Sequence, residues 1–277
     1  MNNESFNHPN NEVADSCAIF AQLLHKYGGS PMFLAGLLLL VGGGIVSAFS
    51  MFGVMNSVAV FTLLALALPS IALFMLYSVC ANKMPAEKFS APLTMLKVYV
   101  IISLIFMGLL LVIAIAGMFF VGSIAGVDEL LMAIIFAVLI GAIIGFLIAF
   151  TLLLIFYYIP LLRIISDIRS GLFFGNVKKI RGVVPLTVMA CIAAGSAALT
   201  SLSDLSAIAE PAPYADFGLL NIYMGVPGFD WSSLGAFYNP TLMLLMALSA
   251  VMSGVGTVLL LVVLNRFNKA VKQTFGQ

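Results

Sequence analysis

Charge is scarce in this sequence. Asp, Glu, Lys and Arg make up 8% of its 277 residues and hydrophobic residues 62%, whereas ordinary soluble domains are about a quarter charged. A soluble globular domain is therefore excluded. Six apolar stretches, 31–55, 57–80, 98–124, 130–159, 183–203 and 240–264, contain no Asp, Glu, Lys, Arg or His at all. Proton relays, ion-coupled carriers and voltage sensors depend on charge inside the membrane, so this lack argues against all three. Both histidines, His8 and His25, precede the first stretch, and no HExxH metalloprotease helix can be built. No pair of carboxylates lies within a stretch, which removes an intramembrane aspartyl protease. Ser196 beside Gly195 lacks any His or Lys to act as base and reads as a packing position. There is no GxxxxGK[ST] loop, so the chain is not itself an ATPase. The three cysteines, Cys17, Cys80 and Cys191, form no CxxC or Cys/His cluster, so no structural metal site is expected. No catalytic, cofactor-binding or metal-ligating residue emerges, and no enzyme and no nucleic-acid binder is expected.

What charge there is has an ordered distribution. All twelve Lys and Arg lie beside one set of ends of the six stretches. Lys26 precedes the first; Lys83, Lys88 and Lys97 separate the second from the third. Arg163, Arg169, Lys178, Lys179 and Arg181 separate the fourth from the fifth, and Arg266, Lys269 and Lys272 follow the sixth. The remaining connections carry only acids: Asp128 and Glu129, then Asp204, Glu210, Asp216 and Asp230. The basic side also holds five acids, for a balance of +7 against −6 on the other side. Basic loops stay in the cytoplasm, and about 20 apolar residues span a bilayer. The sequence therefore predicts an all-α membrane protein: a six-transmembrane-helix bundle with both termini cytoplasmic.

The flanking segments add detail. Residues 1–12 are polar and Asn-rich and read as disordered; they lack the basic start and apolar core of a signal peptide. From Val13 to Tyr27 apolar residues recur every three or four positions, predicting a short N-terminal amphipathic helix that Gly28 and Gly29 end. Such a helix lies along the cytoplasmic membrane surface or packs on the protein's own cytoplasmic loops. The domains are thus a tail and amphipathic helix (1–30), a transmembrane domain (31–265) and a basic cytoplasmic tail (266–277). Pro69 predicts a kink in the second span, with a gating hinge as the sharper reading. Pro160 predicts a kink where the fourth helix continues onto the membrane surface. The external connection 205–239 is rich in Pro and in aromatics, among them Tyr214, Phe217, Trp231 and Tyr238. It reads as an interfacial belt or as a ligand lid.

Small residues form seams at four-residue spacing: Ala133, Ala137, Gly141, Gly145 and Ala149; Ala190, Ala194 and Ala198; Ser249, Ser253 and Thr257. Such seams let helix backbones approach closely in lipid, within one bundle or, through the fourth span, between two copies. Hydroxyls at Thr151, Thr187, Ser196 and Thr200 can bond their own helix and are weak signs of a polar pathway. Arg163, Arg169, Lys178, Lys179 and Arg181 fix orientation and are placed to hold anionic lipid headgroups.

The segment GGSPMFL at Gly28–Leu34, with FYYIPLLRIISDIRSG at Phe156–Gly171, resembles a group of uncharacterised multi-span proteins of Gram-positive bacteria. The resemblance implies a bacterial plasma membrane and six spans, and no activity. Members of that group carry a cysteine-rich zinc ribbon at the start; this chain has only Cys17 there and departs from them. The leading expectation is a non-enzymatic membrane component, with the bilayer, another membrane protein or a second copy as partner. The alternative is a permease subunit for a neutral or amphipathic solute. A permease would enclose a hydrated cavity lined by Thr151, Thr187, Ser196, Ser249 and Ser253; a scaffold would be dry and closed by its seams.

Overall fold

A computed structural model describes residues 9–51, 56–121, 129–209 and 240–276. The helices are α1 (Pro9–Gly28), α2 (Pro31–Met51), α3 (Asn56–Ala81), α4 (Ser90–Val121), α5 (Glu129–Leu153), α6 (Ile159–Phe174), α7 (Val183–Ala209) and α8 (Pro240–Phe275). A 3₁₀ turn at Ala86–Phe89 precedes α4, and a π turn at Leu154–Tyr158 joins α5 to α6. No strand occurs among the described residues. Five of these helical segments are long and apolar enough to cross a membrane: Pro31–Ser50, Thr62–Ala81, Ala86–Ile113, Ile140–Phe174 and Thr241–Phe275. The stretch expected at 183–203 falls in α7, where Val183–Leu199 forms a shorter apolar helix. Most of the aromatic connection, from residue 210 to 239, and the polar residues 1–8 lie outside the described residues.

Several boundaries differ from the sequence reading, each for a local reason. Helix α1 begins at Pro9, so the last four residues of the segment read as disordered are helical; a proline's fixed φ suits a first helical position. Helix α4 starts at Ser90 and contains Lys97, because Pro92 sits in the first turn, where no intrahelical N–H is needed. The basic tail expected from residue 266 is a continuation of α8 to Phe275. Nothing interrupts it: Phe267 and Val271 turn inward while Arg266, Lys269 and Lys272 stay exposed. At 1.5 Å per residue the 36 residues of α8 extend about 54 Å, well beyond a hydrocarbon core of roughly 30 Å.

Around the bundle, α4 packs on α3, α3 on α2, α2 on α8 and α8 on α7. The π turn and α6 reach both α7 and α4 and close the ring at its basic end. Pro160 explains the π turn. Lacking an N–H, it cannot bond the carbonyl four residues back, and the chain widens just before it, with Ile159 N donating to the Leu154 carbonyl. At the same end lies the main buried core, which includes Phe20 and Leu24 of α1, Val79 and Cys80 of α3, Ile164 and Ile168 of α6, and Phe267 of α8. Helix α1 is therefore packed on α3, α6 and α8, the second of its two expected placements.

The tightest helix contact joins α2 to α8 through glycine. A Cβ on Gly256 would lie 2.6 Å from the Leu40 nitrogen and 2.8 Å from the Gly36 carbonyl oxygen. One on Gly43 would strike Ser253 Oγ and lie 2.9 Å from the Ser249 carbonyl. Gly256→Leu must therefore push two backbones apart, and thermal unfolding in detergent is expected to register a loss of about 3 kcal/mol, the upper range for overpacking. Gly108, whose Cβ would meet nothing, serves as the contrast: Gly108→Ala should stabilise α4 by about 0.5–1 kcal/mol through chain entropy alone.

Candidate functional site

The seams end up in three different situations. Ser249 of α8 faces α2, its hydroxyl donating to the Gly43 carbonyl at 2.8 Å, and Ser253 abuts Gly43. Ala190, Ala194 and Ala198 lie on α7, where Gly254 of α8 approaches: its Cβ would sit 3.7 Å from Ala197 and 4.0 Å from Ala194. A shallow groove of about 300 Å³ remains between α7 and α8, floored by Ala194, Ala197, Ala198, Ala250 and Gly254. The third seam, on α5, meets no partner among the described residues: Ala137, Gly141, Gly145 and Ala149 are exposed, and a Cβ on Gly141 or Gly145 would have none of them within 4 Å. Helix α5 leans on α4. Ala133 falls among the residues whose side chains are not described.

The hydroxyls do not converge. Thr151 donates to Leu147 O at 2.8 Å, Thr187 to Val183 O at 2.7 Å, Ser196 to Ala193 O at 2.9 Å and Thr257 to Ser253 O at 2.8 Å. Each bond runs back to the residue's own helix. Ser201 does so too, at 2.7 Å to Ala197, and shares its proton with Ala247 of α8 at 3.3 Å. Thr151 and Ser196 face outward, so these groups line no common polar space.

Polar chemistry is concentrated instead at the basic end, where the strap Gly175–Gly182 between α6 and α7 is pinned down. Gly175 (φ 62°) ends α6 in the left-handed conformation, as is usual past a helix C-terminus. Gly182 (φ 88°) brings the strap against α6, where a Cβ would lie 2.7 Å from the Pro160 carbonyl. Between them Val177 and Ile180 are buried. Asp167 of α6, 3% exposed, accepts the Arg181 backbone N–H at 2.6 Å and the guanidinium at 2.7 Å and 3.1 Å. Asn268 of α8 accepts the Ile180 N–H at 3.0 Å. A buried carboxylate and a buried amide thus satisfy two backbone donors of the strap, as buried backbone requires. Arg181, whose side chain is 63% exposed, is tied to Asp167, while Arg163, Arg169, Lys178 and Lys179 are exposed. Sequence patterning alone does not single out Asp167 or Asn268. For Asp167 a signal exists: it is the one acid between Tyr158 and Gly182 and sits on the apolar side of α6 with Ile164 and Ile168.

Helix α1 seals this end. Phe20, 1% exposed, lies edge-on to Phe267 with ring centroids 5.6 Å apart and against Gly171, where a Cβ would meet its ring at 2.5 Å. Gly28 rests on Cys80 at the end of α3. His25 lies tilted against Phe89, ring centroids 5.3 Å apart, and hydrogen-bonds the Cys80 backbone, while its Nδ1 is buried without a partner. Burial lowers the His25 pKa below 6.5, the Cys80 bond opposes this, and Lys83 lowers it further. No group of three or more His, Cys, Asp or Glu with metal-binding proximity occurs among the described residues.

The strap and His25 are both open to direct tests. Asp167→Ala removes both acceptors that hold Arg181, and trypsin cleavage of the native protein after Lys178 and Lys179 is expected to accelerate about tenfold or more, the equivalent of one or two lost hydrogen bonds. Unchanged cleavage would mean that Asn268 and the buried Val177 and Ile180 hold the strap without Asp167. His25, with its folded-state pKa below the ordinary value of 6.5, favours folding in its neutral form. Its contribution is complete above pH 6.5 and falls as pH drops through 6.5 toward the lowered value. Melting temperature should thus decline between about pH 7.5 and pH 5, and His25→Phe should flatten that part of the profile.

No known family, no curated protein and no solved structure matches the chain.

Proposed function

We propose that this chain is a non-enzymatic component of a bacterial plasma membrane, crossing it six times with α2, α3, α4, α5–α6, α7 and α8. Its termini lie in the cytoplasm and it packs against other membrane or envelope proteins. The charge pattern supports the orientation, because Lys26, Lys83, Lys97, Arg163, Lys178 and Arg266 gather at one end of the bundle and basic ends are retained inside. Helix α7 serves as the sixth crossing when its full 27 residues are counted, about 40 Å of helix.

The observation that carries the reading is the absence of a shared polar space among the described residues. The five hydroxyl residues that a permease would aim at its solute are divided among α5, α7 and α8. Four of them bond backbone carbonyls, and Ser253 is closed off against Gly43. Helix α5 adds a small-residue face whose Gly141 and Gly145 have no neighbour among the described residues, the composition by which membrane helices meet a partner.

Single-cysteine variants at Ser253 and Thr187, made after replacing Cys17, Cys80 and Cys191, test this in intact membranes. A dry component leaves both unreactive to a charged, water-soluble thiol reagent while a Lys179→Cys control labels. Reaction at Ser253 would put water at mid-membrane and replace the proposal with a permease for a neutral or amphipathic solute.

A further inference from the structure

Inside the ring, at its basic end, lies a cavity of about 210 Å³. Phe33 of α2, Leu76 of α3, Leu96 of α4, Ile165 of α6, Leu186 of α7 and Leu264 of α8 all contribute to its wall. These six helices, together with Leu24, Tyr27 and Gly28 of α1, leave the same space unfilled, and the lining is apolar throughout apart from the Tyr27 side chain. A space of this kind does not hold water, since water needs two to four polar partners; a smaller apolar cavity of roughly 150 Å³ stays dry and takes up benzene or xenon.

The surroundings narrow the occupant. The ring is closed at the basic end by the π turn and α6, yet along the rest of its length α5 leans on α4 and forms no extensive packing with α7. A Cβ on Gly141 or Gly145 of α5 or on Gly195 of α7 would have nothing within 4 Å, so among the described residues this side lies open to whatever solvates the bundle. In a bilayer that solvent is the acyl chain of a phospholipid, a slender apolar molecule present at very high local concentration. At the level of the cavity the outside is cationic. Lys26, Lys97, Arg163 and Arg266 are exposed, and each is adjacent in the chain to a lining residue: Tyr27, Leu96, Ile164 and Phe267. An apolar interior beside a cationic exterior matches a phospholipid, with its chain inside and its phosphate at the surface.

We infer that the cavity is a lipid site holding one acyl chain of an anionic phospholipid. The site is separate from the α5 face invoked for partner packing and holds whether or not a partner binds there. Its filling is what allows six helices to converge without close-packing at their centre, as protein interiors otherwise require.

The test uses the full-length protein in vesicles of phosphatidylglycerol with dibrominated or unbrominated acyl chains. Trp231→Phe removes the single tryptophan and Phe33→Trp places a reporter on the cavity wall. Bromine on the chains is expected to quench this reporter at least about twofold, because a pocket encloses most of its ligand's surface. Adding Ile165→Phe and Leu96→Phe fills the space and should abolish most of that quenching. An outward control, Ile105→Trp, is quenched in both backgrounds. Quenching at Phe33→Trp that persists after filling comes from surrounding lipid and overturns the site, as does no quenching at all. Native mass spectrometry of the unsubstituted protein gives an independent reading should the filled variant not fold. One retained phosphatidylglycerol per chain supports the site, and the bare chain mass refutes it. A wet or solute-filled interior at Ser253 would defeat the proposed function without touching this result.

Discussion

Hydrocarbon offers a helix no reason to leave lipid for another helix, because lipid tails are as apolar as leucine. Backbone proximity has to supply the attraction through van der Waals contact and exchanged hydrogen bonds. In this chain that requirement is met where α2 crosses α8. Gly36 and Gly43 on one helix and Gly256 with Ser249 and Ser253 on the other permit an approach that no larger residue allows. The Ser249 hydroxyl then reaches the Gly43 carbonyl. Helix α3 rests on the far side of α2 and α7 on the far side of α8, so the positions of both depend on this one contact. A methyl group at Gly256 would therefore be felt well beyond the pair.

The basic end obeys different rules. Helix α8 outruns the hydrocarbon thickness by several turns, as does the joined α5–α6, and their ends need another way to bury apolar surface. They find it in a small core of the kind seen in soluble proteins, with α1 laid across α3, α6 and α8 and aromatic pairs at Phe20–Phe267 and Phe20–Phe275. Here water is within reach and the hydrophobic effect operates. Buried Asp167 and Asn268 are hydrogen-bonded and both hold down the same strap, while His25 Nδ1 is a buried polar atom left without a partner. The two halves of the molecule are thus stabilised by different forces, glycine contact in one and apolar burial with buried hydrogen bonds in the other.

Much of this was legible in the sequence, because the membrane acts on composition directly. Uncharged runs of 20 or more residues must be helices, and the placement of α2, α3, α4 and α8 came directly from their runs. The amphipathic period of α1 was equally plain. What periodicity could not convey was the partner. Gly42, Gly43 and Gly44 stand together in the first stretch, yet nothing in α2 names α8, two hundred residues away, as the helix that needs the room. Asp167 looked like one more cytoplasmic acid, because a carboxylate's burial depends on Arg181 arriving from a strap whose course the sequence does not give. The helical course of residues 265–275 was hidden by their charge. Basic residues mark where a membrane span ends but do not end a helix.

Pro160 shows how one residue can mislead a count of spacing. The π turn it imposes inserts an extra residue into the helical register, which rotates α6 by about 100° relative to α5. The stripe that α6 buries, Ile164, Ile165, Ile168 and Leu172, is not the extension of the small-residue stripe on α5. At the basic end the π turn and α6 reach α4 and α7, whereas α5 and α7 form no extensive packing among the described residues. Identical four-residue spacing gives a packed seam on α8 and an open one on α5. The difference lies in what stands opposite each face, Gly43 of α2 against the α8 seam and no described residue against Gly141 and Gly145 of α5.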